Sequence, residues 1–196
     1  MNQNFAPTII SHIQKYVHVE PDLLQTFVDS LEYCEFSNKT IIQEEGKISY
    51  GSYFIISGCV RAFAIDNNGN EHVMHLALEN WWVADMYSFI TGKPGYLTLQ
   101  AIENCQLLYL SKKDQENFYN QCPAIERYFR ILMENAYVST IQRIQDNLSL
   151  SAEERYRRFK VKFPSLEHRI PSKYIASYIG VTPEFFSKMR NKLLKS

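Results

Sequence analysis

Residues 170–196 carry the pattern of two short helices joined by a glycine turn, and no other stretch constrains the fold of this chain as strongly. Ala176 is small enough for two helices to approach closely, and Gly180 can take the positive φ of a tight turn. Thr182 and Pro183 suit the N-cap and first position of a second helix. Apolar residues recur at roughly helical spacing, namely Ile175, Ile179, Phe186, Met189 and Leu193. The pattern predicts a helix-turn-helix, with a helical hairpin packed on a core as the plainer alternative.

The charge of the chain is unevenly distributed. Its 21 Lys and Arg balance its 21 Asp and Glu, giving a formal net charge of zero. Residues 151–196, however, hold 11 basic and 4 acidic residues, so the rest of the chain is acidic. A basic segment on an acidic body is typical of a small domain that meets phosphates. An ordinary solvated basic face is the alternative.

Neither a membrane segment nor a metal site is indicated. No apolar run approaches the length of a membrane span, and the N-terminal residues lack the pattern of a signal peptide, which predicts a cytoplasmic protein. The four cysteines are far apart and have no zinc or iron–sulfur spacing, so we expect free thiols and no cofactor.

The periodicity changes twice along the chain. Helical spacing over the first thirty or so residues gives way, from Tyr33 to Leu110, to short β-branched and aromatic runs separated by turns. The segment 66–70, DNNGN, predicts a hairpin turn, and 84–95 predicts a short helix followed by a Gly/Pro turn. Many short strands at this spacing favour a compact barrel or sandwich.

A long helix is predicted from Pro123 to about Leu148. It carries two apolar stripes, one through Ile125, Phe129, Leu132 and Ala136 and the other through Ile131, Val138, Ile141 and Leu148. One stripe can cover the barrel while the second meets a partner helix, although a helix that packs only on its own domain is the alternative. Ser151 and Glu154 have the spacing of a capping box, which places a domain boundary near residue 148.

This order of elements resembles the Crp/Fnr family of bacterial transcription regulators. The resemblance rests on the helix-turn-helix, on GKISYGSYFIISGCV with Gly46, Tyr53 and Gly58, and on QAIENCQLLYLS before the long helix. It implies an α+β fold with N-terminal helices, a cyclic-nucleotide-binding-like β-barrel of jelly-roll type, a long dimerisation helix and a C-terminal helix-turn-helix. The expected domains are a sensor over 1–122, a linker helix over 123–148 and a DNA-binding domain over 149–196.

The chain departs from the family where members bind cyclic AMP. Those members use a Gly-Glu pair for the ribose and an Arg for the cyclic phosphate, whereas Val83 and Ala84 match the pair, and Gly95 and Tyr96 stand near the Arg position. A buried phosphate without a bidentate Arg carries a large desolvation penalty, and Asp85 would repel it. We therefore expect no useful binding of cyclic AMP.

The sequence leaves open whether another effector binds. Aromatic and polar residues in the region are candidates for lining a pocket, in full Arg61, His75, Trp82, Val83, Ala84, Asp85, Tyr87 and Tyr96. They can either bind an unknown small molecule or simply fill the former pocket, which would leave the barrel as a scaffold.

The resemblance also implies how DNA would be read. The second helix of the motif enters the major groove, so its first residues become candidates for base contacts: Thr182, Pro183, Glu184, Ser187 and Lys188. Phosphate contacts are expected from Ser172, Lys173, Arg190 and Lys192, with Lys195 as a further cation. Phe185 can touch a thymine methyl or belong to the core.

The expected partners follow from the same reasoning. They are double-stranded DNA with a two-fold symmetric site, a second copy of the chain, and RNA polymerase. The sequence stops soon after the second helix, so we expect no C-terminal wing, which makes dimerisation more important for affinity.

Two other classes of function are alternatives to a DNA-binding regulator. A metal-dependent barrel enzyme would need ligands such as His72 and His75, but residues three apart on a strand point to opposite faces, so no enzyme is expected. The second is a ligand-sensing barrel whose basic C-terminal domain binds a protein instead of DNA.

Overall fold

The computed structural model describes residues 5–193. Its helices are α1 (Ala6–Gln14), α2 (Pro21–Asp29), α3 (Met86–Thr91), α4 (Lys112–Gln121), α5 (Pro123–Ser149), α6 (Ala152–Lys162), α7 (Ser172–Tyr178) and α8 (Pro183–Leu193), with a 3-10 turn at Leu166–His168. Its strands are β1 (Glu32–Phe36), β2 (Ile41–Gln43), β3 (Gly51–Ser57), β4 (Val60–Ile65), β5 (Glu71–Ala77), β6 (Trp82–Val83), β7 (Thr98–Ala101) and β8 (Cys105–Ser111).

The strands form two four-stranded sheets with orders β1-β8-β3-β6 and β2-β7-β4-β5. Strand β8 pairs antiparallel with both β1 and β3, although those strands are distant in sequence. The mixed helix and sheet content and this jelly-roll-like pair of sheets confirm the predicted fold class. The expectations about a wing and about Lys195 concern residues outside 5–193.

Several local predictions are confirmed with their physical causes. The DNNGN turn closes on Asp66, whose Oδ1 accepts hydrogen bonds from the backbone N of Asn68 and Asn70, each at 2.9 Å. Gly69 has φ +82°, which explains the glycine. Helix α6 begins with the predicted capping box between Ser151 and Glu154.

The described chain divides into two compact units. The first comprises the residues up to Ala62 together with Leu76–Asn135, and the second comprises Phe63–His75 together with the residues from Ala136 onwards. The β4–β5 turn segment therefore groups with the C-terminal helices. The predicted domain boundaries stay a prediction.

The first unit has two apolar clusters. One joins α1, α2, α4 and the start of α5 to the sheet through residues such as Ile9, Phe27, Phe54 and Tyr128. The other lies among the strands and includes Ile55, Val60, Leu99 and Leu107. Burial of this apolar surface is the main stabilisation of the unit.

A buried polar contact crosses the first cluster. Trp82 Nε1 donates to Tyr128 Oη at 2.8 Å, and Tyr128 Oη lies 2.7 Å from His12 Nδ1. Because Tyr128 Oη accepts from Trp82, its own hydrogen is available for Nδ1 of a neutral imidazole. Burial, and secondarily Lys15, lower the pKa of His12 to about 4. The contact therefore requires a neutral histidine.

Acid is expected to destabilise the first unit through His12. Because the pKa of His12 is lower in the folded state than in the unfolded state, the unfolded chain takes up a proton first as the pH falls, and this favours unfolding. Stability should thus fall as the pH drops from about 6.5 towards 4, by about 2 kcal/mol at pH 5. Denaturant titrations at several pH values, followed by tryptophan fluorescence, measure this loss because Trp81 and Trp82 both lie in the first unit.

Two variants assign the effect. His12→Gln should flatten this pH dependence, whereas His18→Gln should keep it, because the His18 side chain is 86% exposed. An unchanged slope in His12→Gln would contradict the assignment.

Candidate nucleic-acid interface and ligand pocket

Helices α7 and α8 are joined by the predicted turn. Gly180 has φ +72°, and the N–H of Val181 donates to the carbonyl of Ala176 at 3.0 Å. Ala176 is fully buried, as close helix packing requires. Thr182 Oγ1 accepts from the backbone N of Phe185 at 3.2 Å, and α8 begins at Pro183. The N-cap and the first-position proline were thus predicted correctly.

One face of α8 is buried and the other is exposed. Phe186 and Met189 are buried, and the Phe186 ring meets Tyr156 of α6 edge to face at a centroid distance of 5.1 Å. The five candidate base-reading residues are all exposed, namely Thr182, Pro183, Glu184, Ser187 and Lys188. Phe185 is also 52% exposed, so of its two expected roles the core one is wrong.

The phosphate candidates differ in their surroundings. Arg190 Nη1 donates to Ser172 Oγ at 3.1 Å, which ties the end of α8 to the start of α7. The Nε of Arg190 is buried without a hydrogen-bond partner. Lys173 is exposed and lies over the ring of Tyr174, and Lys192 is exposed near the end of α8. The structure therefore brings together only Ser172 and Arg190.

The β4–β5 turn segment is hydrogen-bonded to α7 within the second unit. Ser177 Oγ accepts from the backbone N of Val73 and donates to the carbonyl of Glu71, both at 2.9 Å. The sequence gives no signal for this role, since Ser177 reads as an ordinary polar position in a short helix.

Arg143 of α5 also donates hydrogen bonds to the β4–β5 segment and to α7. Its Nη2 donates to the carbonyls of Val73 at 2.8 Å and Tyr178 at 3.0 Å, and its Nη1 donates to the carbonyl of Met74. The guanidinium carbon lies 4.2 Å from the centre of the Tyr178 ring, a cation–π distance. Sequence reasoning missed Arg143, because nothing in the spacing of α5 distinguishes it from a solvated arginine.

Helix α5 leaves an apolar stripe uncovered over its second half. Val138, Ile141 and Leu148 are 53%, 45% and 85% exposed, and Tyr137 and Ile144 extend the same surface. Ile131 is half-buried. In the other stripe, Ile125 and Phe129 are buried and Leu132 packs beside them, but Ala136 is exposed. The second stripe thus has the exposure expected of a surface that meets another helix.

The candidate ligand region centres on a buried carboxylate. Asp85 is fully buried and caps α3, its Oδ1 accepting from the backbone N of Ser88 at 3.0 Å. Its Oδ2 accepts from the backbone N of Leu97 at 2.8 Å. A Cβ added at Gly95 would lie only 2.2 Å from this Oδ2. The carboxylate therefore fills the space beside Gly95, and Val83 and Ala84 next to it are buried.

The remaining pocket candidates are scattered. Tyr87 and Tyr96 lie together with ring centres 4.7 Å apart and are both exposed. Arg61 is buried and its Nε donates to Gln100 Oε1 at 2.7 Å. Trp82 packs against the apolar cluster formed by α1, α2, α4 and the start of α5, where its Nε1 donates to Tyr128 Oη. His75 belongs to the second unit and is exposed, and desolvation by the surrounding side chains together with the charges of Arg143 and Lys162 lowers its pKa to about 4.

Over residues 5–193, no group of three or more His, Cys, Asp or Glu side chains is arranged to hold a metal ion. Within the same range, no helix is both long and apolar enough to cross a bilayer.

Comparisons with known proteins agree with this architecture. Residues 33–122 match the model of the cyclic nucleotide-binding domain. No curated protein matches the sequence. The fold is similar to that of CLP, the c-di-GMP-responsive global regulator of Xanthomonas campestris, with a TM-score of 0.74 and 16% identity over 90% of this chain and 92% of CLP.

Two further solved structures share the fold. FixK2 from Bradyrhizobium japonicum gives a TM-score of 0.74 at 15% identity, over 84% of this chain and 85% of FixK2. A transcriptional regulator of the Crp/Fnr family from Eubacterium rectale gives 0.71 at 17% identity, over 90% of this chain and 85% of that one. Residues 33–122 are thus similar to the cyclic nucleotide-binding domain, and the chain shares its fold with CLP, FixK2 and this Crp/Fnr-family regulator.

Proposed function

We propose that the protein is a sequence-specific DNA-binding transcription regulator of Crp/Fnr type and not an enzyme. The observation that carries the proposal is the exposed polar face of α8. Glu184, Ser187 and Lys188 stand on this face while Phe186 and Met189 anchor the opposite one. A carboxylate can accept a hydrogen bond from cytosine N4 and an ammonium can donate to guanine O6 or N7. The face therefore offers both a hydrogen-bond acceptor and a hydrogen-bond donor to base edges.

A homodimer is part of this proposal. The uncovered stripe on α5 is self-complementary in chemistry, since Val138, Ile141 and Leu148 are apolar and exposed. Pairing of two such helices would remove these side chains from water. Two copies of α8 would then address half-sites about one helical turn of DNA apart, which favours a two-fold symmetric site.

We infer further that cyclic AMP is not the effector. The buried carboxylate of Asp85 occupies the space beside Gly95, where an arginine would be needed for the phosphate. The exposed pair Tyr87 and Tyr96 leaves two possibilities open, another small molecule or a barrel that acts as a scaffold.

The alternative is that the basic C-terminal region binds a protein. This region holds 11 basic residues over 151–196, which also suits an acidic protein surface. DNA binding through several phosphates weakens steeply as salt rises, with a slope that reports the number of contacts. A shallow salt dependence would therefore favour the protein partner.

Selection from a randomised duplex pool tests the proposal. Purified protein is mixed with the pool at moderate salt, and the retained duplexes are sequenced. Enrichment of a two-fold symmetric motif is the expected result. Retention without any motif would contradict sequence-specific regulation, and no retention by the free protein would favour the protein-partner alternative.

Two variants of the motif should affect DNA binding in different ways. Glu184→Ala is expected to change base preference at one position of each half-site, by about 1–3 kcal/mol. Lys173→Ala should weaken specific and random duplexes alike and reduce the salt slope by about 1. Fluorescence anisotropy with the selected duplex, single-base variants and a scrambled duplex measures both effects.

Exposed residues of the first unit serve as controls. Glu44→Ala and Lys113→Ala make the same chemical changes there and should leave DNA binding unchanged. Equal effects of Glu184→Ala and Lys173→Ala on specific and scrambled DNA would contradict the assigned roles.

A further inference from the structure

Helix α8 carries an aromatic side chain that its packing does not use. Phe185 is 52% exposed, whereas the next residue, Phe186, is 1% exposed and meets the ring of Tyr156. Within residues 5–193, no other aromatic ring contacts the ring of Phe185. A single exposed apolar side chain is ordinary on most protein surfaces, so the position of Phe185 in the motif decides what its ring can do.

Phe185 stands in the first turn of α8. The helix begins at Pro183, so Phe185 is its third residue. Two hydrogen bonds fix this turn on Thr182, whose Oγ1 accepts from the N–H of Phe185 at 3.2 Å and whose carbonyl accepts from the N–H of Phe186 at 2.9 Å. In a helix-turn-helix, the first residues of the second helix contact base edges in the major groove. The ring is therefore held at the end of α8 that is proposed to meet the bases.

The ring projects from one flank of the exposed face of α8. Successive residues of a helix are about 100° apart, so Glu184 points nearly opposite to the buried Phe186, and Phe185 lies between the two. Lys188 and Lys192 follow Phe185 three and seven residues later and are both exposed. This spacing places them along the same flank as the ring. The flank thus presents an apolar group in the first turn and cations beyond it.

A thymine methyl group is the apolar feature of the major groove that such a flank fits. Thymine presents its O4 and its C5-methyl group there, and a phenylalanine ring can make apolar contact with the methyl. The methyl is the major-groove group nearest to the backbone of its own strand. A ring on the flank of a helix in the groove is therefore better placed to reach it than a ring at the centre. Lysines farther along the flank suit the phosphates of that strand.

We propose that Phe185 is a specificity residue that recognises the methyl group of one thymine in each half-site. This inference rests on the proposed DNA-binding function and deepens it, because it adds an apolar contact to the polar contacts assigned to Glu184 and Lys188. Contact between the ring and the methyl removes both from water. It favours thymine over cytosine and, since only the methyl distinguishes them, thymine over uracil.

Replacement of thymine by uracil isolates this contact. The duplex selected from the randomised pool is synthesised with each thymine replaced in turn by deoxyuridine, and anisotropy titrations with the full chain give each Kd. One replacement in each half-site should weaken binding about fourfold, the loss expected when one methyl-sized apolar group is returned to water. A selected motif without thymine, or one in which no replacement weakens binding, would overturn the inference.

Phe185→Ala assigns the effect to the side chain. The variant lacks the ring in both copies of the proposed dimer, so its affinity for the selected duplex should fall about tenfold or more. It should also bind the thymine duplex and the sensitive uracil duplex with equal Kd. A fourfold preference for thymine that persists in Phe185→Ala would overturn the assignment.

Val161→Ala is the matched control. Val161 is 84% exposed on α6, outside the helix-turn-helix, so this variant also truncates an exposed apolar side chain of the second unit. It should keep both the parent affinity and the preference for thymine over uracil. Loss of that preference in Val161→Ala would contradict a specific role of Phe185.

Failure of this inference is distinguishable from failure of the proposed function. If the randomised pool yields no motif, sequence-specific regulation and the methyl contact are both wrong. If it yields a motif whose thymines can all be replaced by uracil without loss, the regulator proposal stands and the role of Phe185 is wrong.

Discussion

Cyclic AMP is expected to produce no saturable heat with the purified protein at micromolar concentrations. A buried charge that lacks its partner costs about 3–5 kcal/mol, which corresponds to roughly two to four decades in Kd. Here the position near the missing arginine is Gly95, and the fully buried carboxylate of Asp85 lies beside it. Titration calorimetry with cyclic AMP measures the result, and micromolar or tighter binding would contradict it.

Restoring the arginine should not restore binding. A Cβ at residue 95 would lie 2.2 Å from Asp85 Oδ2, far inside van der Waals contact, so Gly95→Arg requires the loop to shift. We expect this variant to bind no cyclic AMP and to be less stable than the parent. Lys93→Arg, at an exposed neighbouring position, controls for an added arginine and should leave stability unchanged. Cyclic AMP binding by Gly95→Arg would show that the missing arginine is the only obstacle.

Asp85→Ala should be among the most destabilising single substitutions in the first unit. The carboxylate accepts hydrogen bonds from the backbone N of Ser88 at 3.0 Å and of Leu97 at 2.8 Å. Alanine would leave both donors unsatisfied, at about 1–3 kcal/mol each. The bond from Ser88 is itself the N-cap of α3, so the two lost bonds together give an expected loss of about 2–6 kcal/mol in the free energy of unfolding. Urea titration followed by tryptophan fluorescence measures it.

Two companion variants make the result interpretable. Asp85→Asn keeps one acceptor oxygen and should lose less stability than Asp85→Ala. Asp29→Ala removes an exposed carboxylate whose contact is with Gln25 on the same helix, and it should cost about 0.5 kcal/mol or less. Near-equal stabilities of Asp85→Ala and Asp29→Ala would contradict the role assigned to Asp85.

The local elements could be predicted because their signals are short in sequence. Gly180 marks a positive φ, Thr182 and Pro183 mark a helix start, and Ser151 with Glu154 marks a capping box. Each of these features depends on backbone geometry within a few residues, so it can be predicted without knowing the tertiary contacts around it.

The candidate pocket could not be predicted in this way. Trp82 and Tyr87 are five residues apart, yet Trp82 donates to Tyr128 in the apolar cluster of the first unit while the ring of Tyr87 lies beside that of exposed Tyr96. The direction of a side chain depends on which residues, distant in sequence, surround it in the fold. Composition alone does not predict those contacts.

The sequence by itself determined the order of helices and strands, the hairpin turn at Asp66, the helix-turn-helix and the basic C-terminal region. These features could be predicted because periodicity, capping and charge depend on residues that are close together in the sequence. Only the tertiary structure decided that Asp85 is buried beside Gly95 and that Ser177 and Arg143 hold the β4–β5 segment. These features join residues 10 to more than 100 positions apart, and folding brings such residues together through the burial of apolar surface elsewhere in the chain.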